Sequence, residues 1–402
     1  MIAPLTDAEV KDLAWHFNKS AIIPFLGAGA SAYCPGDEHG APPPGRELMQ
    51  KLSEGIAIVD AVFCTQGGHA RVDLSRVASY DQTMRSRPDL NRTLVELLIG
   101  PPQEDEFSND LEEKKKRILF APNPLHRLLA RIAKQRPMLI ITTNYDTLLE
   151  AAFDMYEVPY EVMATPNDYD YIESEGGDTG TAHDDKPNEN SDDAEAGTIW
   201  HRLGATPVDD DRVQAINALP EAERPSPQEF RRIAPNLFST ILNRRSLIYK
   251  IHGTLRRRIS TDEWEGDFVI AEEDYVRFLG RLSASPDLIP SAIFTKLKAR
   301  PHRTAADKDA GQRPLPSRLM FLGYGLNDWN MRVLMHTLGV GQGRATDRKH
   351  YLIDKNPDVL QQRILDKNDF RICPMDLADF VGKLNSTCER YKLIPPDGGG
   401  GR

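Results

Sequence analysis

Cysteine is scarce in this sequence, with 4 in 402 residues, and Cys34, Cys64, Cys373 and Cys388 lie far apart with no C-x-x-C pair. That scarcity excludes a disulfide-stapled scaffold and a sequence-local zinc site, so no zinc is expected and a reducing cytoplasm is the expected compartment. Long apolar runs are missing too: none approaches the roughly 18 residues that a membrane span requires. The opening "MIAPLTDAEVKDLAWHFNKS" has acids and a helical period where a signal peptide needs a basic start and a continuous apolar stretch. A soluble chain with no membrane partner is expected. A basic excess is also absent. The formal net charge is −10, which argues against direct nucleic-acid binding, because nonspecific grip comes from clustered Lys and Arg. No glycine turn ends in G-K-[ST], which excludes a kinase-type phosphate loop.

What is present suffices for a large core, since 40% of the residues are hydrophobic. Residues 7 to 19 read as an amphipathic helix and Ile22 to Leu26 as a strand, and the stretch from Gly45 to about Ile99 has mostly helical spacing. "NPLHRLLARIAKQ" is a helix broken by Pro137, "MLIITT" a compact strand, and "DTLLEAAFDMY" a second helix. Further on, "SLIYKIHGTL" reads as one strand ending at His252 and Gly253, and "DFVIAEEDYVRFLGRL" as a short strand leading into a helix. "RLMFLGYGLNDWNMRVLMHTL" repeats the opening pattern of strand, glycine turn and helix, and "HYLIDKN" and "DFRICPMDLADFVGKL" add two strands and a last helix.

This order predicts an α/β fold: a Rossmann-like parallel sheet with helices on both faces, whose first crossover is enlarged by a helical insertion module at about 41–135. One domain over 1–402 is expected. The segment 166–197 is acidic and almost free of aliphatics, which predicts a mobile loop, and 395–402 a flexible tail.

In an open parallel sheet the carboxyl ends of several strands converge on one crevice. Four such ends carry glycine or polar groups here: "GAGAS" at 27–31, "TTNYD" at 142–146, "IHG" at 251–253 and "GYGLND" at 323–328. Each has a plain structural explanation. Glycines serve tight turns, Asn-Tyr-Asp can cap the following helix, and a histidine after a strand can be a packed core residue. His126, in helical register, reads as structural, and Tyr324 and Trp329 as packing residues.

The ordered set GAGAS, TTNYD, HG, FLGYGLND and YLID resembles the sirtuin-like NAD-binding domain, and more closely the sirtuin-like effectors of bacterial antiphage defence than the protein deacylases. The resemblance implies NAD as substrate. It assigns Gly27, Ala28, Gly29 and Ser31 to the pyrophosphate and nearby ribose, and Asn144 and Asp146 to the nicotinamide and its ribose. His252 becomes the general base, Gly323, Gly325 and Asn327 face the phosphate or adenosine side, and Asp354 an adenine-ribose hydroxyl. These residue types suit the chemistry. Breaking the nicotinamide–ribose bond builds oxocarbenium character, which needs a held ribose, a placed water and a group of near-neutral pKa.

The paired-cysteine zinc module of the deacylases is missing, and "AYCPGDEHG" follows Ser31 where their proline-aspartate-phenylalanine-arginine run would stand. Water is therefore the expected acceptor and NAD glycohydrolase the expected activity, depleting NAD during phage infection. A protein deacylase or ADP-ribosyltransferase and a noncatalytic NAD or ADP-ribose sensor are the alternatives. Unrestrained NAD hydrolysis would starve the cell, so control by a homo-oligomer or by a partner such as a HerA-type ATPase is expected. The apolar faces of the helical module suggest the same oligomer, because one sheet edge cannot cover them all.

Overall fold

The computed structural model describes residues 3–32, 40–54, 74–99, 120–167, 199–203, 231–233, 245–258, 263–284, 289, 293, 297, 317–324, 350–357 and 370–397. The acidic stretch from residue 168 onward, the helix expected after 324, the last tail residues, Cys34, Cys64, Gly325, Asn327 and Trp329 lie outside them.

The chain starts with α1 (Asp7–Asn18), whose first turn is closed by a capping box between Thr6 and Glu9. β1 (Ile22–Leu26) follows and runs into a short 3₁₀ turn at Ala28–Ala30. The helical module contributes α2 (Gly45–Glu54), α3 (Leu74–Met84) and α4 (Arg87–Ile99). Next come α5 (Pro124–Gln135), β2 (Leu139–Thr142), α6 (Leu148–Met155) and β3 (Tyr160–Ala164). β4 (Ile199–Leu203), β5 (Arg231–Ile233) and β6 (Ser246–Lys250) complete one half of the sheet. β7 (Gly253–Arg258), β8 (Glu263–Phe268) and α7 (Glu272–Ala284) follow. The last elements are β9 (Arg318–Leu322), β10 (His350–Asp354), β11 (Phe370–Pro374) and α8 (Leu377–Arg390).

The sheet order is β11-β10-β9-β1-β2-β6-β3-β4-β5. Pairing is parallel from β11 across to β3, while β4 and β5 extend the edge antiparallel. Alternate strand residues serve opposite faces. Ile22, Leu26, Ile140 and Ile248 pack with Leu13, Leu129, Phe153 and Phe380 of α1, α5, α6 and α8. Ile23, Phe25, Leu139, Ile141 and Tyr249 pack with Phe278 and Leu282 of α7. Both faces are covered, as a parallel sheet requires, and the fold is the expected Rossmann-like α/β arrangement. From β1 the chain moves to β2 on one side, and later returns to β9 on the other. The direction of winding thus reverses between β1 and β9, and the crevice outside their carboxyl ends is where such sheets bind ligands.

The stretch expected as a single strand through His252 and Gly253 is divided in two. β6 stops at Lys250, and Gly253 starts a hairpin in which β7 pairs with β8 rather than with the main sheet. Gly253 makes the break, because its φ is +87° and a Cβ there would lie 1.8 Å from the Asp267 carbonyl oxygen. The strand expected before α7 is the other arm of the same hairpin.

The hairpin also supplies a floor for the helical module. Leu48, Leu52, Val77, Leu90, Leu94 and Leu98 bury against Leu255, Phe268 and Ile270 in a third core cluster. These apolar residues of α2, α3 and α4 are thus covered within the chain, while Met84 at the end of α3 remains exposed. A buried pair ties the module to α7: the Arg87 guanidinium lies 2.7 Å from the Asp274 carboxylate, and Asp274 also accepts from the amides of Ile270 and Ala271.

Candidate active site at the strand ends

The ends of β1 and β9 are locked together through glycine. The Gly27 amide donates to the Leu322 carbonyl at 3.0 Å and the Gly29 amide to the Gly323 carbonyl at 2.8 Å. A Cβ on Gly27 would lie 2.3 Å from the Tyr324 ring, and one on Gly323, whose φ is +66°, would lie 2.0 Å from the Ala30 nitrogen. These glycines permit close backbone approach, and the amides of Gly27 and Gly29 are already engaged in doing so. Ala30 and Ser31 donate back into their own turn, which leaves Ala28 as the amide of the turn with no bond among the described residues. Asn123, the N-cap of α5, holds the turn from outside by donating to the Ala30 carbonyl at 2.7 Å. His126 accepts from the Asn123 amide in the same cap, and burial, partly opposed by the Asp146 charge and reinforced by Arg127, pushes its pKa down to about 4. Its role in the cap is structural.

The ends of β2 and β6 are arranged differently. The Asn144 amide donates to the Thr142 hydroxyl at 3.0 Å, which turns the chain out of the sheet. The Asn144 side chain then donates to the Ser31 hydroxyl at 2.9 Å and so bridges to the glycine turn. This bond occupies the NH₂ end of the carboxamide and leaves its oxygen as an acceptor. Asp146 is buried and, one residue before the N-cap Thr147, accepts from the first amide of α6, that of Leu148, at 3.1 Å. Tyr145 donates its hydroxyl to the Val269 carbonyl, and its ring packs edge-on to Phe268.

His252 occupies the turn between β6 and the hairpin. It is buried and makes edge contacts with the rings of Tyr275 and Phe278, both on α7. Burial pushes its pKa down to about 4, so the imidazole is neutral, with a free lone pair, throughout the physiological range.

Ala28, Gly29, Ser31, Asn144, Asp146, His252 and Gly323 line one cavity of about 550 Å³. The helical module adds Pro42 to Arg46, Leu48, Leu74 and Leu98 to the same lining. Gly27 lies outside the lining, in the ladder between β1 and β9. Asp354 lines a second cavity of about 1510 Å³, which shares Gly29, Gly323 and Tyr324 with the first. The two cavities therefore meet over the locked glycine turns. Tyr324 packs with Phe25 and Phe321 and forms part of both walls.

Three supporting residues were not evident as such in the sequence: Tyr275, which contacts His252 and lines the cavity, Asn123, which clamps the glycine turn, and Lys250, beneath the Asn144 turn. The Asn-Pro start of α5 was the available signal for Asn123; Tyr275 and Lys250 left none. Among the described residues no group of three His, Cys, Asp or Glu side chains is placed to hold a metal, and no helix is long and apolar enough to cross a membrane.

A family profile described as a SIR2-like domain matches residues 138–373. The match takes in β2 with the Asn144 turn, β6 with His252, β9 with Gly323, and Asp354, while the first glycine turn precedes it. No curated protein matches the chain.

Proposed function

Since the chain belongs to the SIR2-like domain family, whose domains use NAD, we propose that it hydrolyses NAD to nicotinamide and ADP-ribose. The observation that carries this choice of acceptor is the lining shared with Asn144 and His252: three prolines and three leucines of the helical module, with Arg46, border the same cavity. Prolines and apolar side chains offer an extended polypeptide few backbone partners, which favours a small acceptor, and water is the smallest.

In this reading the dinucleotide straddles Gly29 and Gly323, with its nicotinamide ribose beside Ser31, Asn144 and His252 and its adenosine ribose toward Asp354. The locked glycine turns leave the backbone close to the pyrophosphate, which the Ala28 amide would meet. The Asn144 carboxamide oxygen orients a ribose hydroxyl or the attacking water. As the C–N bond breaks, its electron pair passes to the ring nitrogen and nicotinamide leaves neutral. A water oxygen bonds to the anomeric carbon, and His252 takes its proton. An imidazole of low pKa is a weak base, but an oxocarbenium-like centre is electrophilic enough to need only a late and weak base. Asp146, already bonded to the Leu148 amide at the start of α6, contributes to the floor of the ribose site.

The motif order in the sequence and the cost of unregulated NAD loss support a place in antiphage defence, with activity governed by assembly or by a partner such as a HerA-type ATPase. Incubation of NAD with the purified chain, alone and with the product of a neighbouring reading frame, tests the activity. Equal yields of nicotinamide and ADP-ribose are expected; intact NAD under both conditions, or transfer of ADP-ribose to protein, overturns it.

A further inference from the structure

A lysine buried beneath the site has no part in the chemistry above. The Lys250 side chain is 1% exposed, and its Nζ lies 2.7 Å from a carboxylate oxygen of Glu150, itself 3% exposed. The same ammonium donates to the carbonyl of Tyr145 at 3.3 Å and to that of Asp146. We propose that Lys250 is a positioning residue that sets Asn144 and His252 in register with each other; this rests on the hydrolytic reading of the site.

The connection runs through three elements. Lys250 ends β6, two residues before His252. Its ammonium reaches under the turn that follows β2, one and two residues after Asn144, and its ion-pair partner stands in the first turn of α6. One side chain therefore fixes the strand that presents the base, the turn that presents the carboxamide, and the helix that continues that turn. The Tyr145 carbonyl also accepts from the Leu255 amide of the hairpin, so the turn is held from both sides of His252.

Stability alone does not account for such a group. A buried ion pair gains little over well-packed apolar residues, because the desolvation of both charges offsets their attraction. What an apolar pair cannot do is donate to two carbonyls of a turn. Glu150 also feels the charge of Arg202, so loss of Lys250 does not strand its carboxylate wholly without a cation.

The test compares wild type, Lys250→Met, and the double variant Glu150→Leu with Lys250→Met. For each, nicotinamide release, NAD affinity by calorimetry, melting temperature, and hydrogen exchange of amides 143–147 are measured. The double variant is expected to melt within a few degrees of wild type, yet to release nicotinamide at least tenfold more slowly, with NAD affinity changed less than threefold and exchange raised at 143–147. Recovery of turnover together with melting temperature overturns the proposal. Should the double variant not fold, Lys250→Met is compared with Leu384→Ala, a core truncation in α8, at matched melting temperature. Equal loss of turnover per folded molecule then overturns it. If wild type itself releases no nicotinamide, the hydrolytic reading fails separately, and the exchange data decide: a rise confined to 143–147 in Lys250→Met supports the positioning role, and a uniform rise or none refutes it.

Discussion

The two pairs of strand ends that meet at the crevice use their polar groups in opposite ways. After β1 the glycine turn spends the amides of Gly27 and Gly29 on the carbonyls of Leu322 and Gly323 at the end of β9, at 3.0 and 2.8 Å. After β2 and β6 the backbone is held from below and behind, and Asn144 and His252 are left lining the cavity. The glycines that look most like a ligand motif in the sequence serve first to let two backbones touch. The groups equipped for proton and hydroxyl chemistry stand at the other two ends. Substitutions at the first pair should therefore damage the fold, and those at the second pair the turnover.

Gly323→Ala sharpens this contrast most. Its φ of +66° and a Cβ 2.0 Å from the Ala30 nitrogen combine a left-handed backbone cost with overpacking, together about 3 kcal/mol or more. A melt followed by circular dichroism should show a fall of many degrees or no folded protein; a melting temperature near wild type would mean that the turns can separate freely.

His252→Gln comes next, with an expected loss of about 10²- to 10⁴-fold in turnover. The truncation His252→Ala is a less clean probe than the sequence alone implies, because the ring is buried against Tyr275 and Phe278 and its removal costs packing as well. A folded His252→Gln enzyme at wild-type rate would take His252 out of the mechanism.

Acid should act on both regions at once. His126 behind the glycine turn and His252 in the cavity are held at about 4, below the ordinary 6.5. The unfolded chain therefore binds protons near pH 6.5 that the folded chain refuses until about pH 4. Their contribution is full above pH 6.5 and declines as pH falls toward 4, by on the order of 3 kcal/mol per histidine at the limit. Denaturant unfolding at pH 7 and pH 5 measures this. In His126→Gln the decline should be roughly halved; an unchanged profile would locate the acid sensitivity elsewhere.

The smallest effect is expected at Asp354, which lines the second cavity and accepts from the Asn356 amide at 3.0 Å. Asp354→Asn should weaken NAD binding a few-fold and leave the maximal rate nearly unchanged. A large fall in rate with unchanged affinity would contradict its place on the adenosine side.

How much of this could be read from the sequence depended on whether a residue's neighbours lay close in the chain. Ile22–Leu26 is an uninterrupted apolar run between a helix and glycines, and its bounds are as expected. β3 has a weak sequence signal because "YEVMA" carries a glutamate, yet Glu161 is fully buried. The break at Gly253 was hidden in a continuous β-like run, since its cause is the Asp267 carbonyl on the other arm of the hairpin. Asn144 and His252 stand out because strand ends converge by topology and because the ordered motifs around them resemble the sirtuin-like domain. Lys250 does not, because a lysine closing a strand normally reaches solvent, and only the fold places Glu150 and two carbonyls over it.

The central claim, that chemistry belongs to the ends of β2 and β6, is tested most directly by nicotinamide release from NAD in Asn144→Ala, with NAD affinity measured by calorimetry on the same preparation. The account predicts a fall in turnover of at least about 10²-fold, a change in affinity of less than tenfold, and a melting temperature close to wild type, since the half-buried Ser31–Asn144 bond contributes only about 1 kcal/mol. A folded Asn144→Ala protein that releases nicotinamide within threefold of the wild-type rate would contradict it.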